Sequence, residues 1–122
     1  MLTNPYQAYQ QSMVGTVSQE QLVLMLYNGA LRFLKQAQKG IMQHNIEQTH
    51  INLIKAQNIL SELMMNLDMS QGEIAANLYN LYDYMHRRLL DANIKKDMAP
   101  LEEVAGMLSE LRDTWKTACR LK

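Results

Sequence analysis

From Ser18 to Arg120, apolar residues return every three or four positions in successive segments parted by short polar breaks. That spacing matches the 3.6-residue period of an α-helix and fails the two-residue period of a half-buried strand. Few residues interrupt it, because the chain holds only two prolines and five glycines. The spacing predicts an all-α chain, an antiparallel up-down-up-down four-helix bundle, with helices over about 18–40, 45–67, 70–96 and 98–120. Short connections make successive helices antiparallel neighbours. Residues 1–17 show no sustained period and are read as an N-terminal arm, so the division is an arm at 1–17 and a bundle at 18–122.

Local signals mark the ends. Ser18-Gln19-Glu20-Gln21 and Ser70-Gln71-Gly72-Glu73 have the form of capping boxes, in which a hydroxyl takes an unpaired N–H of the first turn. Gly40 suits the residue just past a helix, and Pro100 suits a first turn. Gly29 falls inside the first helix, where a close helix crossing would offset its cost of about 1 kcal/mol relative to Ala.

Composition narrows the function. Twelve basic residues balance twelve acidic ones with no basic block, which argues against nucleic-acid binding. The longest apolar run, Leu22 to Tyr27, is far too short to span a bilayer, and Met1 to Pro5 shows no signal-peptide pattern. The single cysteine, Cys119, cannot pair internally, which fits a reducing cytoplasm. No phosphate loop, nucleophile elbow or paired-cysteine zinc pattern is present, so neither a catalytic residue nor a cofactor is expected.

The helices carry more apolar surface than a bundle needs. On the fourth, Val104, Met107, Leu108, Leu111, Trp115 and Ala118 make a single stripe. The first has two: Leu22, Met25, Leu26 and Phe33 on one side, and Val23, Tyr27, Ala30, Leu34 and Ile41 on another. The second pairs a main stripe of Ile46, Leu53, Ala56, Leu60, Leu63, Met64 and Leu67 with a separate group, Ile51, Ile54 and Met65. On the third, Ile74, Leu78, Leu81 and Met85 lead, flanked by Ala75, Tyr79, Tyr82 and Leu90. A surplus of this kind marks a partner surface, unless wide helices bury it between two neighbours or the arm covers it. Ten methionines suit either a core or an adaptable binding surface.

One catalytic alternative is worth weighing. Glu47-Gln48-Thr49-His50 matches the Glu-x-x-His motif of di-iron bundles, and Asp83-Tyr84-Met85-His86 comes near it. Such a centre needs carboxylates from the other helices too, and the first helix has none after Glu20. Asp83, Arg87, Arg88 and Asp91 are spaced for ion pairs along the third helix.

Five stretches in order resemble the flagellar secretion chaperones of the FliS type. They are Asn4 to Gln11; Leu22 to Ala30; Lys55 to Leu60; Gly72 to Leu78 running into Leu81 to Leu89; and Glu102-Glu103-Val104 with Trp115-Lys116. The resemblance implies a bacterial cytoplasmic export chaperone without enzymatic activity. It would bind the disordered C-terminal segment of flagellin, prevent premature polymerisation and aid flagellar type III secretion. The export apparatus and other flagellar regulators are further candidate partners. Tyr9 matches the family's arm tyrosine, and Lys55, Asn58 and Ile59 match its second-helix motif. The chain departs from the family at Ser12, where Asn is common, and at Val17-Ser18-Gln19, where Ala-Ser-Pro is common. Leu22, Met25, Ile51, Ile54, Met65, Tyr79 and Tyr82 would supply the apolar binding area, while Asn58 and Arg87 fix register. A homodimer burying its extra stripes against itself is the rival reading.

Overall fold

The computed structural model describes residues 17–122. The helices are α1 (Gln19–Met42), α2 (Ile46–Met65), α3 (Glu73–Lys95) and α4 (Met98–Ala118), with a 3-10 turn at Met69–Gln71 between α2 and α3. They form an all-α bundle in which α1 and α3 each pack against both α2 and α4. Leu26, Ala30, Leu34 and Ala37 meet Leu53, Ala56, Leu60 and Leu63, and Met85, Leu89, Leu101, Val104 and Leu108 close the core. Each large side chain buried this way contributes about 1.5–3 kcal/mol.

Side-chain caps fix three of the helix starts. Ser18 Oγ accepts the Gln21 N–H at 3.1 Å. Asn45 Oδ1 takes the Gln48 N–H at 3.0 Å, and Asp97 Oδ1 takes the Ala99 N–H at 3.1 Å. Such caps are typically worth about 1 kcal/mol each. The box expected at Ser70 does not form. Asp68 caps the 3-10 turn instead, accepting from the Ser70 N–H, and α3 starts at Glu73 behind Gly72 with no side-chain cap.

The tightest contact joins α1 to α2. Gly40 does not end α1; it lies inside the helix, and a Cβ there would meet Thr49 Oγ1 at 2.5 Å and Thr49 N at 2.7 Å. At Gly29 the added carbon would stand 3.3 Å from Ile59 Cδ1, so this glycine also sits at a close helix approach. Across the bundle the buried hydroxyls of Tyr27 and Tyr82 bond to each other at 2.5 Å, tying α1 to α3. Trp115 Nε1–H donates to the Glu20 carbonyl at 2.9 Å and pins the end of α4 to the start of α1.

Several residues depart from their expected stripes. Ile46 and Ile74 are 68% and 72% exposed, because each sits in a first turn, beyond the reach of a facing helix. Ala118, the last residue of α4, is exposed as well. Leu24 is buried on a third face of α1, and Thr49, Gln57 and Asn93 are buried polar residues that the stripes do not contain.

The glycines supply a stability test. Gly40→Ala drives a methyl into backbone, so urea unfolding is expected to show a loss of about 1–3 kcal/mol or more. Gly106, exposed within α4 with nothing within 4 Å of an added Cβ, is the control: Gly106→Ala is expected to gain up to about 1 kcal/mol.

Candidate protein-binding groove

The groove between α2 and α3 takes its register from one hydrogen bond. His50 Nδ1 and Asn93 Nδ2 meet at 2.9 Å, so those side chains face each other. Lys96 Nζ donates to Asn93 Oδ1 and to its carbonyl, which steadies the asparagine. Helical spacing then places Ile54, Gln57 and Met65 on the His50 side of α2. The same spacing brings Leu90, His86 and Tyr79 to the Asn93 side of α3. Counting away from the bond along antiparallel helices of equal rise sets Ile54 level with Leu90, Gln57 with His86, and Met65 near Tyr79.

The outer rim of this groove is apolar and exposed. Ile54 is 39% exposed, Tyr79 42%, Leu90 46% and Met65 69%, with Ile51 beside them. Asn58 stands exposed on the same flank of α2. The floor holds Gln57, 6% exposed, whose Oε1 has no hydrogen-bond partner among the described residues.

Other candidate residues fall elsewhere. Lys55 and Ile59 turn toward α1, where Lys55 Nζ lies 5.4 Å from the Phe33 ring centre and Ile59 abuts Gly29. Arg87 is exposed and paired with Asp83 at 3.2 Å. Met25 is exposed on α1. Leu22 and Tyr82 lie in the interior of the bundle rather than on its surface. Tyr9 lies outside the described residues. The face thus brings together Ile51, Ile54, Asn58, Met65 and Tyr79, to which the structure adds Leu90, His86 and Gln57. Leu90 was visible as a flanking apolar position; the buried amide of Gln57 carries no sequence signal.

Polar contacts hold α3 to α4 on its other side. Glu103 accepts from Tyr84 Oη at 2.6 Å and from Arg88 Nε at 2.8 Å, and Arg88 also reaches Asp91. The Tyr84 and Arg88 hydrogen bonds hold the Glu103 carboxyl below its usual range. Burial pushes the Tyr82 hydroxyl well above the usual phenol value, with the neighbouring Tyr27 adding to it. Among the described residues no group of three His, Cys, Asp or Glu side chains is placed to hold a metal ion. No helix among them is long and apolar enough to cross a membrane.

Comparison with known proteins gives a consistent result. The family model described as flagellar protein FliS matches residues 2–122. The flagellar secretion chaperone FliS of Bacillus subtilis is 47% identical over 117 residues, covering 96% of this chain and 87% of the relative. The protein of the same name from Escherichia coli is 40% identical over 116 residues, covering 90% of this chain and 85% of the relative. That of Campylobacter jejuni is 33% identical, covering 91% and 88%.

The Glu103 contacts set a pH dependence. A carboxyl whose folded pKa is depressed adds stability that is complete above its unfolded pKa and is lost as pH falls through the folded value. Thermal melts are expected to show wild type losing more stability than Glu103→Gln on acidification from neutral pH to below the carboxylate range. Equal losses in both would show that these bonds carry no linkage.

Proposed function

This chain belongs to the FliS family of flagellar secretion chaperones, and from that premise we propose that it is a cytoplasmic export chaperone for flagellin. In this reading it binds the disordered C-terminal segment of flagellin, which folds into helices on the bundle. Binding keeps flagellin from polymerising early and presents it to the flagellar type III export apparatus. The observation that carries the reading is the exposed apolar rim of Ile51, Ile54, Met65, Tyr79 and Leu90 along the α2/α3 groove.

The chemistry fits helix-in-groove recognition, in which an amphipathic helix lays its apolar face into a hydrophobic groove. Ordering a disordered ligand costs about 2–5 kcal/mol or more of the gross interaction, so an extended contact surface is required. A rim running the length of two helices supplies one. Methionine adapts to irregular ligand surfaces, and Met65 stands out from the rim more than its neighbours do. Asn58 and the charged pair of Arg87 and Asp83 border the apolar strip and give a ligand its polar register. The chaperone names of the relatives favour binding over catalysis.

Ile54→Glu and Tyr79→Glu, each confirmed as folded by circular dichroism, test the face by calorimetry with a flagellin C-terminal segment. Placing a charge in the apolar strip is expected to weaken binding at least about tenfold, equivalent to 1.4 kcal/mol. Wild-type affinity in both folded variants would exclude this groove.

A further inference from the structure

At the end of the bundle where α1 and α3 begin and α2 and α4 end, a cavity of about 220 Å³ opens between the helices. Leu63 and Leu67 border it from the α2 side, Leu78 and Tyr82 from α3, Tyr27 from α1, and Trp115 from α4. It lies at the same end of the bundle as Met65 and Tyr79, because Leu67 and Leu78 stand just beyond their level along the helices. We propose that this cavity is the anchor subsite of the groove, taking one bulky apolar side chain of the bound helix together with a neutral carbonyl acceptor beside it. The inference rests on the chaperone reading above and adds to it a defined end point for the ligand.

Size and hydrogen-bond accounting support that occupant. An apolar cavity of about 150 Å³ already admits benzene, so this one has room for a Leu, Met or Phe side chain. Tyr27 and Tyr82, both bordering the cavity, bring two O–H protons between them, and their mutual bond uses one. No other partner of either hydroxyl is found among the described residues. The second proton is therefore a buried donor, and an acceptor arriving with the ligand would satisfy it. A helix ends with carbonyls that lack intrahelical partners, which makes the C-terminal turn of a bound helix a fitting source. A ligand carboxylate fits less well, because the Asp68 carboxylate already stands at the rim, accepting from Ser70 and Gln71. The Trp115 indole N–H is spent on Glu20, which leaves its ring as apolar wall.

Trp115 is the only tryptophan in the chain, so its emission reports on the cavity. A tryptophan-free C-terminal segment of flagellin is titrated into the full chain while heat and emission are both recorded. Emission is expected to move to shorter wavelength with the same midpoint as the heat. The double variant Tyr27→Phe/Tyr82→Phe removes both hydroxyls while keeping the rings, a change close to neutral for the fold. It is expected to bind about three- to tenfold more weakly, the worth of one hydrogen bond. A single substitution would leave one proton free to donate and would not serve. Heat-detected binding with unchanged Trp115 emission and unchanged affinity in the double variant would overturn the subsite. No binding heat with wild type would instead overturn the chaperone reading on which it rests.

Discussion

The close approach of α1 and α2 governs how the rest of the bundle is disposed. Gly40 lets the Thr49 backbone come within a distance that any Cβ would forbid, and Gly29 admits Ile59 one helical stretch away. Two contacts on one edge fix the rotation of α2 about its own axis. The opposite edge, with Ile54, Asn58 and Met65, is then turned toward α3 and solvent. The apolar rim is thus a consequence of packing: α2 cannot bury it without giving up its fit to α1. Dense interiors transmit such constraints because side chains in them have few alternative positions.

The second helix pair is held differently, by hydrogen bonds more than by close backbone contact. His50 with Asn93 sets the height of α3 on α2, and the Tyr27–Tyr82 pair ties α3 across to α1. On its far side α3 is held to α4 through Glu103. These ties leave the outer strip of Tyr79 and Leu90 uncovered by any described helix. A chaperone that folds its ligand needs such a surface to be present before the ligand arrives, since preorganisation on one partner limits the ordering cost to the other.

The helices were readable from periodicity because burial in a bundle enforces a 3.6-residue repeat, and Ser18 was readable as a cap because its hydroxyl has a nearby N–H to take. Other features escaped for physical reasons. Gly40 has the composition of a stop signal, yet it is required by a helix crossing, and a glycine looks the same in either role. Ser70 has the spacing of a capping box, but Asp68, two residues earlier, caps a 3-10 turn that includes Ser70, so the next helix starts at Glu73 with no side-chain cap. Ile46 and Ile74 keep the right phase but sit at helix ends, and phase says nothing of how far a neighbour extends. Tyr82 looks amphipathic in sequence, and only the partner hydroxyl of Tyr27 makes its burial affordable. The rim itself was legible as a surplus of apolar residues on α2 and α3; the unpartnered Gln57 amide on its floor was not.

Methionine-methyl NMR tests the central claim most directly, because it reads both ends and the interior of the bundle at once. Met65 sits at the rim, Met42 is exposed at the opposite end, and Met85 is fully buried. On addition of a flagellin C-terminal segment to the chain labelled at its methionine methyls, the Met65 resonance is expected to shift while Met42 and Met85 stay in place. A shift at Met42 with Met65 unmoved would place the ligand away from the α2/α3 groove and contradict the account.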